Sequence, residues 1–502
     1  MNFVPSQDQL RLWDTWVYVA PEGEIHLFYL ANKPGGAWGY VGHAVSTDWV
    51  TWSDLPEIRL TGEPGAWDDG ASGTGMVFRH DDGRYYMTYT GALSRGEAGG
   101  LLVSSDLITW DKCSVSAPCW PRCGEEPYER ENEQVAASGA WRDPYVTRDP
   151  QGRLIAVCSA RLSGGPAAGR ACFASAQVTS LDGWVTGPPL AHTGRYASME
   201  VPEIFPFEDR WWALFSTGSS WGVRLDTPSR DAVTGSFFLS SETWDGVYGG
   251  PPENLLIGSG GNRMDAYVAR QVTYEGLTLI YHHYAGSPTA FGLPKELKRD
   301  GEALYLAPWT GVERLHRPVE RGDWMSLSHG PVTPGIWMFS DHRAAGDCRY
   351  GSDAALRPTG CGDLDVEVQV VLRRGRRAGI GIVTPDVESR GVAVLLDSER
   401  SEVTLTRCER WQHGCGMRLD DRIDVVRHGV RKGIAYRLRL MRRGQWLECF
   451  VNGRLTFASV LPDVGPGGAV ASVLESGAAD FHWDRIHRLA PLNHQPTIPR
   501  GF

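Results

Sequence analysis

Asp14, Asp143 and Glu200 recur at one place in a repeated unit of this chain. The unit is a hairpin of alternating apolar and aromatic residues that follows a Gly or Asp turn. It reads Gly23-Glu-Ile-His-Leu-Phe-Tyr29, Gly83-Arg-Tyr-Tyr-Met-Thr-Tyr89, Gly152-Arg-Leu-Ile-Ala-Val-Cys158, Asp209-Arg-Trp-Trp-Ala-Leu-Phe215 and Gly276-Leu-Thr-Leu-Ile-Tyr281. Counting back nine residues from each turn gives Asp14, Thr74, Asp143, Glu200 and Tyr267. Carboxyls confined in one site raise each other's proton affinity, which favours one protonated acid near neutral pH. Each acid also has a plainer reading. Asp14 between Trp13 and Thr15 would cap a turn, and Asp143-Pro144 is a common turn dipeptide; the shared register favours chemistry over both. The rival to Glu200 is Glu203, but strand alternation puts residues 200, 202 and 204 on one face and 203 on the other.

The element that brings such positions together is a propeller blade. The repeat spacing of roughly 55 to 70 residues suits a four-stranded blade with loops. A second marker, Ser46-x-Asp48-x-x-x-Trp52, returns as Ser104-x-Asp106-x-x-x-Trp110, with looser echoes at Ser180 to Trp184 and Ser240 to Trp244. Strands of β-branched and aromatic residues are bounded by Gly, Asp and Pro, and long helical periodicity is lacking. Five units predict a five-bladed β-propeller whose first strands line a central funnel, where the three acids face one another.

At 502 residues the chain is long enough for two or three domains. The propeller is expected over residues 1–318 and a Pro-punctuated connector over 319–334. Short alternating strands then resume, as in Leu364–Leu372, Val392–Leu396, Tyr436–Met441 and Leu447–Val451, the last followed by the tight-turn pair Asn452-Gly453. They predict an all-β C-terminal β-sandwich over residues 335–502.

A net charge of -10 argues against a nucleic-acid partner. The Arg clusters at Arg373–Arg377 and at Arg442-Arg443 read as solvated strand ends. No apolar run approaches the ~18 residues of a membrane span. The N-terminus has neither a basic start nor an apolar core, so the expectation is a cytoplasmic protein with free thiols and no membrane partner. Among ten cysteines, Cys158, Cys172 and Cys449 read as buried thiols. Cys348 with Cys361, and Cys408 with Cys415, flank turns at which a disulfide is the alternative. Cys113, Cys119 and Cys123 lack a His partner at zinc spacing, so no metal is expected.

Against this frame the chain resembles the β-fructofuranosidase and fructosyltransferase clan, glycoside hydrolase families 32 and 68. Trp38-Gly-Tyr-Val-Gly-His43-Ala-Val-Ser46 with Trp52, Ser72-Gly-Thr, Trp141-Arg142-Asp143-Pro144, Glu200-Val-Pro202, Leu293-Pro-Lys-Glu-Leu297 and Leu447-Glu-Cys-Phe-Val-Asn-Gly453 are similar to family 32 segments, in the family's order. The resemblance implies a retaining glycosidase with Asp14 as nucleophile, Glu200 as acid/base and Asp143 as transition-state stabiliser, with no cofactor. Arg142 would keep Asp143 ionised. Trp13, Trp16, Trp38 and Trp67 would wall the pocket, with blade packing the competing reading for each. Asp265, Tyr267 and Ser72 are candidate sugar contacts.

Two departures bear on the sugar. The nucleophile segment Trp13-Asp14-Thr15-Trp16 looks more like family 68, which lacks the sandwich, and Leu30 and Val201 replace the Gln and Cys of family 32. Fewer amides and more indoles change which hydroxyls the pocket can satisfy. The implied substrate is an oligosaccharide or small furanoside, most simply a terminal β-D-fructofuranoside. A β-D-arabinofuranosidase, a furanosyl transferase and a non-catalytic sugar-binding propeller are the alternatives, and a homo-oligomer built through the sandwich stays open.

Overall fold

In a computed structural model of the chain, the residues described are 2–5, 11–32, 38–91, 96–114, 117–122, 126–129, 140–219, 225–327, 335–386, 388–411, 416–490 and 494–495. They divide into two compact units. One comprises Asn2–Leu225, Ala232–Leu304 and Leu492–Phe502, and the other Met1, Asp226–Asp231 and Tyr305–Pro491.

The first unit is a five-bladed propeller of antiparallel sheets. Blade one pairs Arg11–Val19, Ile25–Asn32, Tyr40–Ser46 and Trp52–Arg59 in chain order, with His494–Gln495 added in parallel at its edge. Blade three is built from Arg142–Arg148, Leu154–Arg161, Ala171–Gln177 and Val185–Thr186, and blade four from Glu200–Phe207, Arg210–Thr217, Val233–Ser241 and Leu255–Gly260. Blade five starts with Ala266–Tyr274 and Leu277–Tyr284 and takes in Asn2–Phe3 from the other end of the chain. In blade two the first strand is interrupted between Ser72–Gly73 and Val77–Arg79. The Ser-x-Asp marker proves to be the turn between the third and fourth strands. Asp48 accepts the Val50 and Thr51 N–H groups at 2.8 and 2.7 Å, and Trp52 Nε1 donates to Trp49 O at 3.1 Å. Asp106 and Trp110 repeat the pattern in blade two.

One irregularity is shared by blades one, three, four and five. The first hairpin shifts register between Trp13 and Thr15, Arg142 and Tyr145, Glu200 and Glu203, and Tyr267 and Arg270. At each shift one residue has positive φ: Asp14 36°, Asp143 59°, Val201 48° and Val268 52°. These are β-bulges, which insert a residue and re-aim the strand. They also correct the repeat register. Asp14 and Asp143 are equivalent to Val201 and Val268, whereas Glu200 is equivalent to Trp13, Arg142 and Tyr267, one residue earlier. The count of nine misplaced Glu200 because the turns differ in length. Five residues separate Val19 from Ile25 and Arg148 from Leu154, but two separate Phe207 from Arg210 and Tyr274 from Leu277.

The second unit is a single 12-stranded sheet bent into two layers, rather than two separate sheets. Arg343–Pro358, Leu364–Val383 and Ala469–Leu489 run the length of both layers. The first half of Leu364–Val383 pairs with Ala435–Arg443 and the second half with Gly391–Asp397. All three long strands turn at one level, at Gly351 (φ 72°), Gly375 (φ 85°) and Ser476 (φ 46°). A Cβ on Gly375 would come within 1.9 Å of Ser476 O, so only glycine allows that approach. Val366, Val368, Leu438 and Leu440 share one core with Ile380, Ile382, Val394 and Leu405, which is how the layers face each other. This unit begins at Tyr305, ahead of the residue 335 boundary set from the sequence. His316–Arg317 and Met325–Ser326, read as blade end and connector, are hydrogen-bonded to its long strands. Cys348 and Cys361 are free thiols, so the disulfide alternative fails for that pair. Cys415, like Cys123, lies outside the described residues.

Candidate active site

Asp14, Asp143 and Glu200 come from the first strands of blades one, three and four. The bulges, not a common register, bring them together. At Val201 the bulge turns a backbone N–H out of the ladder, and it donates to Asp143 Oδ2 at 2.9 Å. Asp143 N in turn donates to Thr90 Oγ1 at 2.8 Å, and the Thr90 hydroxyl faces Thr74 O at 3.2 Å. Thr74 fills the blade-two place where no acid stands, and its hydroxyl donates to Asp14 Oδ2.

Arg142 ties two of the acids. Its Nη2 donates to Glu200 Oε1 at 3.0 Å and its Nε lies 3.7 Å from Asp143 Oδ2. Tyr267 OH donates to the other Glu200 oxygen at 2.7 Å. Trp13, half-buried, packs its ring 6.4 Å from Tyr267 and 4.6 Å from His283. Arg142, Tyr267 and Trp13 thus stand beside the acids, Tyr267 as a partner of Glu200.

Burial dominates the electrostatics. It pushes Asp14 up to about 7, with the Thr74 hydrogen bond opposing and the Glu200 charge adding. Burial likewise pushes Asp143 up to about 8, opposed by Arg142 and aided by Asp14. The raised proton affinity therefore falls on the two aspartates held by bulged backbone. Asp14 raises the proton affinity of Asp143, so the two aspartates titrate as a pair. Glu203 is no rival to Glu200, though not for the reason alternation gave, since the bulge between them resets the alternation. It is buried in an ion pair with Arg270 Nε at 2.6 Å, and Arg270 Nη1 donates to Gly75 O at 2.7 Å.

The remaining expected contacts sort differently. Trp16 is 1% exposed and stacked on Phe28, so it belongs to blade packing and not to a pocket wall. Trp38 and Trp67 are half-buried against the core of blades one and two, and Trp67 stacks on Tyr89. Ser72 is buried, and its backbone N–H donates to Trp38 O at 2.8 Å. Asp265 is ion-paired with Arg263. Sequence reasoning missed Thr90, Glu97 and His283. No local motif marks them, because each enters through a contact between blades. Among the described residues, no group of three His, Cys, Asp or Glu side chains is placed to hold a metal ion.

The sequence profile of the glycosyl hydrolases family 32 N-terminal domain matches residues 14–259. The chain belongs to glycosyl hydrolase family 32. The fold of family 32 proteins extends over both units. An exo-inulinase from Aspergillus awamori superposes with a TM-score of 0.66 at 16% identity, covering 98% of each chain. A fructan 1-exohydrolase IIa from Cichorium intybus gives 0.62 at 13% identity, covering 99% of this chain and 98% of that one. Among curated proteins, a bifunctional 6(G)-fructosyltransferase/2,1-fructan:2,1-fructan 1-fructosyltransferase from Allium cepa is 34% identical over 113 residues. That match spans 20% of this chain and 18% of the relative. The family 32-like stretch around His43 is structural here. The buried His43 ring stacks on Phe28 and its Nε2 lies 2.9 Å from His26 Nδ1. In the Leu293–Leu297 segment, Lys295 is buried with its Nζ 2.8 Å from His282 Nε2.

Proposed function

We propose that the propeller is the catalytic domain of a retaining, exo-acting β-D-furanoside hydrolase, most simply one that cleaves terminal β-D-fructofuranosides. The observation that carries this reading is Arg142 held between Asp143 and Glu200, with Asp14 in electrostatic contact with both. The Asp14 carboxylate attacks the anomeric carbon while the Glu200 carboxyl gives its proton to the departing glycosidic oxygen. The C–O bond to the leaving group breaks as the ester to Asp14 forms. Glu200, now ionised, takes a proton from water, whose oxygen attacks the same carbon and releases Asp14. Asp143 accepts hydrogen bonds from sugar hydroxyls and stabilises the positive charge of the transition state. Thr74 steadies the Asp14 carboxylate, and Tyr267 orients Glu200 for both proton transfers.

Transfer to a second sugar in place of water is the alternative, and the curated relatives matched, from Allium cepa and Festuca arundinacea, are fructosyltransferases. One experiment separates these readings. Wild type and Glu200→Ala are incubated with p-nitrophenyl β-D-fructofuranoside, p-nitrophenyl β-D-arabinofuranoside and sucrose, and products are resolved by chromatography. Fructose released from sucrose by wild type and not by Glu200→Ala supports hydrolysis; longer fructosides from sucrose support transfer. Cleavage of the arabinoside alone would re-specify the sugar. No turnover of any of them, with sugar binding retained, would favour a binding protein.

A further inference from the structure

We infer that Glu97, on blade two, is a positioning residue that holds Arg142 in place against Glu200 and so sets the pH range over which the site works. This rests on the acid/base role proposed for Glu200. Glu97 immediately precedes the strand Ala98–Ser104, and its side chain is 18% exposed. Its Oε2 accepts the Trp141 N–H at 3.1 Å and lies 3.7 Å from Arg142 Nη1. The other nitrogens of that guanidinium point elsewhere. Nη2 donates to Glu200 Oε1 at 3.0 Å and reaches Ser198 Oγ at 3.5 Å, while Nε faces Asp143 Oδ2 at 3.7 Å. One planar cation is thus divided among carboxylates from blades two, three and four, an arrangement that a rigid fork of donors suits.

Glu97 has two effects through this geometry. The backbone bond to Trp141 and the ion pair to Nη1 fix the residue before Arg142 and the end of the guanidinium remote from Glu200. It also takes a share of the positive charge. Among the described residues, the charged groups in contact with this cluster include Asp14 and Asp143 on the negative side and Arg142 on the positive, with Arg270 matched by Glu203. Tyr267 contributes a neutral hydroxyl. Glu97 is the largest of the carboxylates acting to raise the proton affinity of Arg142. Without its charge, the positive charge of Arg142 acts undivided on the acids of the site, including Asp14, whose carboxyl it already opposes burial in holding down, and the site as a whole binds protons less tightly.

The test compares Glu97→Gln, which keeps an acceptor for Trp141 N–H but no charge, with Glu97→Asp, which keeps the charge. Profiles of kcat/KM against pH are measured with sucrose and with a p-nitrophenyl furanoside. Glu97→Gln is expected to move both limbs to lower pH by about one unit and to slow sucrose more than the p-nitrophenyl substrate, which needs little protonation to leave. Glu97→Asp should restore the wild-type limbs. A purely structural role would lower kcat and Tm in both variants with the limbs unmoved, and that result overturns the inference. Glu200→Ala is the control for the underlying reading. Loss of sucrose turnover with p-nitrophenyl release retained and raised by azide shows that Glu200 is the acid/base, so unmoved limbs would then count against Glu97 alone. Full sucrose turnover in Glu200→Ala would sink the acid/base role itself. An infrared titration of protein with ¹³C-labelled glutamate carboxyls reads the same shift without turnover, and an unshifted titration in Glu97→Gln likewise refutes it.

Discussion

Asp14 and Asp143 are held at some cost to the fold, and the sign of that cost is testable. An unfolded chain ionises Asp14 near 3.8, whereas the folded protein keeps the proton up to about 7. Between those values the unfolded state binds fewer protons, so the group lowers stability as pH rises until the folded carboxyl ionises as well. Asp14→Asn should therefore abolish turnover yet raise Tm, by more at pH 8 than at pH 5 and hardly at pH 3, as read by calorimetry. The same titration governs rate. The acidic limb of kcat/KM should fall as Asp14 takes up its proton below about 7. Tyr267→Phe removes the donor to Glu200 without changing shape. A hydrogen bond to a charged group contributes about 1.5–3 kcal/mol, so kcat should drop roughly 10- to 100-fold, with Tm little changed.

At the scale of the strand, the bulge does what the repeat could not show. A side-chain pattern of apolar and aromatic residues looks alike with or without one inserted residue, so the count of nine placed Glu200 level with Asp14. The hairpin pairing puts it one residue earlier and gives Val201 the left-handed backbone, which aims a peptide N–H at Asp143. Beneath the site the first strands are joined by the buried Glu203–Arg270 pair. Arg270→Met would strand a buried carboxylate, and a loss of about 3–5 kcal/mol is expected in urea unfolding. The Glu203→Leu, Arg270→Met double variant should recover much of it, because both desolvated charges then go. Gly75 marks the same level in blade two, where a Cβ would sit 1.7 Å from Thr88 O. Gly75→Ala should lower soluble yield and Tm more than Gly83→Ala, whose turn position is open to solvent but whose positive φ disfavours alanine.

Across the whole molecule two buried acids, Asp14 in the propeller and Asp365 in the bent sheet, respond to pH in opposite senses. Asp365 in the bent sheet is buried and takes two hydrogen bonds from Arg439, at 2.8 and 2.6 Å, and one contact from His316 Nε2 at 2.7 Å. Against the penalty of burial these partners hold its carboxyl down at about 2. Its stabilisation is present above the ordinary carboxylate value and is lost as pH falls toward 2, the reverse of Asp14. Asp365→Asn should lower Tm clearly at pH 7 and only slightly at pH 2. The bend at Gly375 was invisible in the alternation of Leu364–Leu372, since alternation reports which face is buried and not that one strand serves two layers.

The sequence by itself determined the local, periodic features: five blade units, the recurring Ser-x-Asp marker at Asp48 and Asp106, the alternating strands beyond residue 335, and the placing of three acids on first strands of blades. Each is encoded within a few neighbouring residues, by period and turn chemistry. Only the tertiary structure decided that Trp16 is packing, that Glu203 is a buried ion-pair partner, and that Thr74, Thr90 and Glu97 support the acids. Apart from Trp16, which stacks on Phe28 in its own blade, those residues act through contacts 44 to 67 positions apart across blade boundaries, and no local rule carries information over such a gap. Burial and charge sharing are properties of the assembled funnel.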